Sequence, residues 1–352
     1  VDLSRDDEGA HAMNRMGFFN QRGFRAGDQR GVALIIVLWI FIFLFVVAFD
    51  FSADVREEAN AAHRFSEDTL GYYLALAGFQ RGLYEYAMKS QGGPSQEIET
   101  PPGFFDLTWH EEKLGSGSFR VRLIDEGGKI NLNRVDEATL HRIFTNIGVD
   151  EPRRSALVDS ILDWIDPDQL HRINGAENDY YESLSSPYSA KNGLFDSVEE
   201  LLWVKGMTEE LFFGSGAEGE AAAGEIRRPG LGEIFTVDSP VDRVNLRTAS
   251  AEVIHALMGI PVEKARTFVE ARKKFSDNTI GDMLPLLGIG AGDAAMRMFV
   301  FTNPAVISVE ADGSTTGVGL PRRVKGVVRV AGGQGRFEMV RWIDRVSVPT
   351  RN

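Results

Sequence analysis

The longest apolar stretch of the chain runs from Val32 to Phe49, VALIIVLWIFIFLFVVAF, without one charged or strongly polar residue. As a helix it spans about 27 Å, close to the hydrocarbon thickness of a bilayer. A buried helix of a soluble core carries a polar stripe, and this run has none. A cleaved secretory signal has an apolar region of about 7–15 residues followed by a small-x-small site. The run is longer than that and lacks the site. Arg22, Arg25 and Arg30 precede it, which predicts a cytoplasmic N-terminus and a single pass that leaves everything beyond Asp50 on the outer side. No Pro occurs from Val32 to Gly93, and Ala62, Phe65, Thr69, Tyr72, Leu76, Phe79, Leu83 and Tyr86 recur at spacings of three and four. This is one face of a helix. The pattern therefore predicts an unbroken helix to about Lys89, a rod of roughly 85 Å, whose outer half packs Phe65, Tyr72, Leu76, Phe79 and Leu83 under a sheet.

The turn-rich segment 90–104, SQGGPSQEIETPPGF, ends that helix. Phe119–Ile124 then alternates apolar and basic side chains as a half-exposed strand does. Strand patterning returns at Ala305–Val309, Val324–Val330 and Arg336–Val348, and the intervening material reads as helical. Helix, strand, helical block, strands is the order obtained when an α domain is inserted into a helix-plus-antiparallel-sheet fold. The expected class is α+β, with boundaries at 1–31 for a leader, 32–90 for the long helix, 91–128 for a linker and the first strands, 129–303 for the inserted α domain and 304–352 for the closing strands. Met13 and Met16 are both candidate starts.

The helical block repeats itself. Ile130–Leu140 matches Val244–Ile254, and EELLWVKGM at Glu199–Met207 matches GDMLPLLGI at Gly281–Ile289. Asn131 and Gly206 are 75 positions apart, whereas Asn245 and Gly288 are 43 apart. The first copy thus holds 32 extra residues, expected within about 160–195. Each copy resembles a helix-hairpin-helix unit with Gly-rich turns, a module whose turn amides meet phosphate in DNA-binding versions. Residues 241–290 carry seven basic and six acidic side chains, so the electrostatic term that nucleic-acid affinity needs is nearly absent.

Charge and composition narrow the chemistry. The 352 residues carry a net charge of −13 and no Cys, which excludes disulfides, Cys-zinc sites and thiol nucleophiles. Residues 150–240 hold nineteen acids against seven bases, while 320–352 hold eight bases against two acids. Solvated surface accounts for both; the sharper reading is a metal loop in the middle and an acidic neighbour for the tail. Asp163, Asp166, Asp168, Glu177, Asn178 and Asp179 offer side-chain oxygens around Pro167 and Gly175, with Asp196 a further candidate where the segment returns. Hard oxygen ligands on irregular backbone suit calcium. Counting from Asp166, Asp168 falls third and Glu177 twelfth as in an EF-hand, but His171 occupies the sixth place, where Gly is needed. It is not an EF-hand, and the spacing alone leaves a solvated acidic loop equally open. Acid pairs such as Asp163 and Asp166 have no recognisable His, Ser or Lys partner, and Gly115-Ser116-Gly117-Ser118 lacks the Lys and spacing of a phosphate loop.

A basic leader ending in Arg30-Gly31, an apolar run opening Val32-Ala33-Leu34-Ile35 and an amphipathic extension together resemble the N-terminus of type IV pilins and pseudopilins. There a prepilin peptidase cuts after the Gly and methylates the new amino group. Ordinary members carry Glu at the fifth mature position, and this chain has Ile36. With the large outer region, that departure resembles the protein K family of the type II secretion system, the largest minor pseudopilin. The resemblance implies cleavage between Gly31 and Val32, an inner-membrane anchor with a periplasmic outer domain, and a pseudopilin fold with an inserted helical domain that binds calcium. It implies a bundle in which Leu34, Ile35, Ile36 and Trp39 meet partner helices. It implies as partners the minor pseudopilins I and J, the major pseudopilin G and the peptidase, and assembly at the pseudopilus tip in support of protein export, with no reaction catalysed. The competing readings are a membrane-tethered helix-hairpin-helix protein handling external DNA, separated by the potential over the hairpin turns, and a membrane-bound hydrolase, which needs a pKa-shifted carboxylate beside a cleft.

Overall fold

The computed structural model describes residues 29–90, 107–215, 228–273, 277–290, 292–315, 321–331 and 336–344. The leader with Arg22 and Arg25, the two candidate starts, residues 91–106 and residues 216–227 lie outside the described residues. The chain divides into two compact units, 1–63 and 64–352. Helix α1 is continuous from Gln29 to Ser90. In the first unit every described side chain from Gly31 onward is exposed, the whole Val32–Phe49 run included.

In the second unit the end of α1 lies on a five-stranded antiparallel sheet. Its strands are β1 (His110–Leu114), β2 (Gly117–Asp125), β3 (Val306–Thr315), β4 (Arg322–Ala331) and β5 (Arg336–Asp344), adjacent in chain order. Alternate positions on β2, β3 and β4 turn Phe119, Val121, Leu123, Ile307, Val309, Ala311, Val324 and Val328 towards the helix, as the period of two requires. The helix answers with Leu74, Ala75, Phe79 and Tyr86, with Tyr72 and Leu83 at the margin.

This corrects the expected stripe. Phe65 is 74% exposed and Leu76 lies outside the buried cluster. The contact face is centred on the small residues Gly71, Ala75, Gly78 and Gly82, which let backbone approach backbone, and a count of large apolar side chains overlooks them. A Cβ on Gly78 would lie 2.8 Å from the Phe119 ring, and one on Gly313 of β3 would lie 2.0 Å from the Gly71 carbonyl oxygen. Phe79 lies over Gly326 and meets Trp342 edge-on at 4.9 Å.

The far face of the sheet is charged in register. Arg120 and Arg323 flank Asp312, Arg122 and Lys325 flank Glu310, and Trp109 rests within 4.6–4.9 Å of the three guanidinium groups. With Arg322 on Asp68 and Arg341 on Asp238, much of the basic C-terminal region finds its acidic neighbours inside this same unit.

The helical domain leaves the sheet at the end of β2 and returns at the start of β3, where Asp125 and Ile307 are cross-strand partners. An insertion whose ends lie one rung apart leaves the sheet unbroken. The crossing is stitched by buried polar groups. Asp125 accepts from Thr248, Asn245 and the Gly127 amide, and Glu126 accepts from Ser308 of β3, Thr236 and Lys129. Burial alone would raise the pKa of Glu126, but Lys129, Lys325 and the two hydroxyls outweigh it and hold the carboxyl at about 2.

Within the domain the two sequence copies share one plan. A two-residue strand, Ile130-Asn131 or Val244-Asn245, pairs in parallel with the strand that closes its own copy, Phe235-Thr236 or Phe299-Val300. Then come α2 (Glu137–Asn146), capped by Asp136, and α3 (Arg153–Ile165) in the first copy. After the short α4 (Asn178–Glu182), the second copy supplies α5 (Ala251–Met258), capped by Ser250, and α6 (Val262–Lys273). Side-chain caps of this kind satisfy first-turn amides that the helix cannot. Gly148 and Gly259 turn the chain between paired helices at positive φ, and Gly206 and Gly288 do so after each 3-10 helix, Val198–Trp203 and Asp277–Leu287. The extra residues of the first copy lie between Ile165 and Val198.

Candidate metal centre

The acidic residues of the insertion sort into three groups by what touches them. Asp163, in the last turn of α3, is fully buried. Its carboxylate accepts from the backbone amide of Arg172 at 3.1 Å and from Arg172 Nη1 at 2.6 Å. The same Nη1 donates to Asp166 Oδ2 at 2.7 Å, so Arg172 clamps the two aspartates together. The turn that permits this requires Gly175, where a Cβ would sit 1.8 Å from Asp163 Oδ2.

The second group converges. One oxygen each from Asp166, Asp168 and Glu177 lie within 4.8 Å of one another. Asp168 Oδ1 accepts the Leu170 amide at 2.7 Å, which fixes the turn after Pro167. Asp166 Oδ1 and both carboxylate oxygens of Glu177 are buried without a hydrogen-bond partner among the described residues, and Glu177 is 1% exposed. Burial, then the charges of Asp163, Asp166, Asp168 and Asp179, push the Glu177 pKa up to about 7. Buried carboxylate oxygens without a hydrogen-bond partner are costly. Asp166, Asp168 and Glu177 are the residues that could hold a hard cation, which takes about six to eight oxygens in the case of calcium.

The third group stands apart. Asp179 is exposed and accepts the adjacent Tyr180 amide. Asp196 is paired with Lys191 at 2.7 Å, and that hydrogen bond holds its carboxyl below the usual carboxylate range. Asn178 is engaged by the Ala190 amide. The structure thus brings together three of the six expected acids, makes Asp163 their support and leaves Asp179 and Asp196 outside the cluster. Sequence reasoning missed Arg172 as the clamp, and it missed Asn192, whose Oδ1 is a further buried oxygen without a partner among the described residues.

At the other end of the chain, Gly31 has nothing within 4 Å of where a Cβ would stand. Val32, Leu34, Ile35, Ile36 and Trp39 are each more than half exposed. Among the described residues, one helix is long and apolar enough to cross a membrane, and none of its most apolar window is buried. One hairpin turn is closed to a phosphate by its neighbour. A Cβ on Gly259 would meet the Asn146 side chain at 2.7 Å, so α2 already fills the second turn.

A family model described as type II secretion system (T2SS), protein K matches residues 122–213, from β2 through the acidic loop. The putative type II secretion system protein K of Escherichia coli (strain K12) is 22% identical over 209 residues, covering 53% of this chain and 60% of that protein. Type II secretion system protein K of Pectobacterium carotovorum subsp. carotovorum is 25% identical over 207 residues, covering 52% and 60%. The matches span about three fifths of the length of these curated relatives. A chain of the crystal structure of the GspK-GspI-GspJ complex from enterotoxigenic Escherichia coli superposes with a TM-score of 0.56 at 14% identity. The overlap covers 83% of this chain and all of that one, a likeness of fold. From the strand that leads into the insertion through the acidic loop, residues 122–213 match the type II secretion system protein K family, and the helix-on-sheet architecture around them is similar in fold to a solved chain of the GspK-GspI-GspJ complex.

Proposed function

We propose that this protein is a minor pseudopilin of the type II secretion system, which acts by assembly at the pseudopilus tip and not by catalysis, in support of export of folded proteins across the outer membrane. The observation that carries the reading is α1. One helix joins an eighteen-residue apolar run with no buried side chain to a segment docked on an antiparallel sheet. Such a run is stable only in lipid or against other apolar helices. Basic residues before it favour an N-terminus in the cytoplasm and an outer domain in the periplasm. Cleavage between Gly31 and Val32 by a prepilin peptidase, followed by methylation, prepares the helix. Leu34, Ile35, Ile36 and Trp39 then pack against partner helices. With Ile36 in place of an acid, the chain does not neutralise a neighbour's amino terminus, as suits a terminal subunit. The minor pseudopilins I and J, then the major pseudopilin G, are its partners.

The acidic loop is proposed to hold calcium through Asp166, Asp168 and Glu177. The ion would supply positive charge to a cluster whose own side chains leave it negative, and Arg172 orients Asp166 for that task. Co-expression with a prepilin peptidase and intact-mass measurement of the membrane protein tests the central reading. The mature chain begins at Val32, and Gly31→Leu blocks the cut by crowding the peptidase. A wild-type chain that remains uncut overturns it.

A further inference from the structure

We propose that Trp203, seated on Tyr188 of the 32-residue insertion, is the anchor for a partner protein that presents an arginine or lysine side chain to the indole face. The proposal concerns the outer surface of the helical domain and stands whether or not the acidic loop holds an ion.

Trp203 ends the 3-10 helix Val198–Trp203, and 56% of it is exposed. Two observations set it apart from an ordinary surface residue. The first is its support. The Tyr188 hydroxyl donates to the Trp203 carbonyl at 2.7 Å, and the two rings meet edge-on at 5.2 Å. Tyr188 in turn lies 5.2 Å from the ring of the fully buried Tyr181 and 6.4 Å from that of Trp164. The indole is the exposed end of a packed aromatic row, so little side-chain freedom is left to lose on contact with a partner.

The second observation is the repeat. EELLWVKGM at Glu199–Met207 matches GDMLPLLGI at Gly281–Ile289, which puts Pro285, likewise exposed, at the place of Trp203. The second copy also lacks the extra residues that carry Tyr188. The helix-hairpin-helix plan therefore needs neither the indole nor its seat, and the first copy has both together. Tryptophan is enriched among the residues that carry the binding energy of protein interfaces.

Charge selects the partner. Residues 173–213 hold eight acids and two bases. Both bases are engaged, Lys191 with Asp196 and Glu200, and Lys205 with the carbonyls of Asn174 and Gly175 and the Tyr180 ring. Glu182, Glu199, Glu209 and Glu210 are exposed. Glu199 stands on the same short helix as Trp203, and Glu182 accepts at 3.5 Å from Ser189, the neighbour of Tyr188. A cation over an aromatic face is attracted by the ring quadrupole, most strongly over Trp. The surrounding carboxylates add to that attraction and repel an acidic surface.

The test uses the full chain in nonionic detergent, with its five tryptophans replaced by 5-fluorotryptophan and the Trp203 fluorine signal assigned by its loss in Trp203→Phe. The probes are acetyl-tetra-arginine amide, the matching tetra-glutamate peptide and chitotriose. The arginine peptide is expected to move the Trp203 signal saturably and to leave that of Trp164, which is 5% exposed, in place. The other two probes should move neither. Trp203→Ala should weaken binding of the arginine peptide about three- to thirtyfold while circular dichroism stays that of the wild type. Should that variant fail to fold, the shift in the wild type decides alone. An unmoved Trp203 signal, or equal affinity in wild type and Trp203→Ala, overturns the proposal. A glutamate peptide that moves the signal as far as the arginine peptide overturns it as well, and chitotriose acting in place of the arginine peptide overturns it in favour of a saccharide platform.

Discussion

Truncation of Phe79 to alanine probes the contact between α1 and the sheet at its tightest point. The ring is 2% exposed, lies over Gly326 and is edge-on to Trp342 at 4.9 Å. Phe→Ala in a core costs about 3–5 kcal/mol, the larger values arising where the cavity does not collapse. Collapse is hindered here, because Gly326 below and Gly78 alongside have no side chains to move inward. Loss of the aromatic pair adds about 1 kcal/mol. The upper part of the range, about 4–5 kcal/mol, is therefore expected, and it corresponds to a fall in melting temperature of roughly 10 °C. The measurement is thermal unfolding of the full chain in detergent, followed by circular dichroism, with Tyr84→Ala as the control. Tyr84 is 56% exposed on the same helix and should change stability by less than about 0.5 kcal/mol. A Phe79→Ala melting curve within about 2 °C of wild type would refute the docking geometry.

Two further outcomes follow from buried groups. Gly175→Ala drives a methyl group into Asp163 Oδ2 and should break the Arg172 clamp, lowering stability by about 1–3 kcal/mol and exposing 166–177 to protease while α1 and the sheet stay folded. Acid should weaken the crossing between sheet and helical domain. In the folded chain Lys129 and Lys325 hold the Glu126 carboxyl at about 2, below its ordinary value of 4.5, and Glu310, whose burial is outweighed by Lys325 and Arg122, is likewise depressed. A depressed carboxylate contributes its full stabilisation above the unfolded pKa and loses it as pH falls through the folded one. For Glu126 this is about 3 kcal/mol, lost between about pH 4.5 and pH 2. Asp125, raised chiefly by burial, acts in the opposite sense. Glu126→Gln should therefore flatten the acid limb of a stability–pH curve, and an unchanged limb would show that Glu126 is not responsible for it.

Large-scale order was legible because it rests on periodicity. The Val32–Phe49 run, the helix beyond it and the return of strands at the C-terminus are all patterns of side-chain character, and each element was found. Strand β1 was not legible. His110–Leu114, HEEKL, is an edge strand with four exposed positions, and an edge that avoids aggregation is charged on both faces. The helix face was misread because its centre is glycine and alanine. In the acidic loop, the first, third and twelfth places counted from Asp166 do meet, whereas Asp163 and Asp179, read with them from the sequence, do not join that group. Asp196 is near the loop in sequence, but Lys191 takes it. Nothing in the sequence pointed to Asn192, since its approach depends on two hydrogen bonds between segments more than twenty residues apart.

The central claim is assembly, and the most direct measurement is recovery of the assembly itself. The full chain is co-expressed with its prepilin peptidase and with tagged minor pseudopilins I and J of the same system, extracted from membranes in mild detergent and purified on the tag. The account predicts that the chain, beginning at Val32, co-elutes with I and J in fixed proportion as one particle by size and mass. A processed, folded chain that elutes alone while I and J remain paired would contradict it.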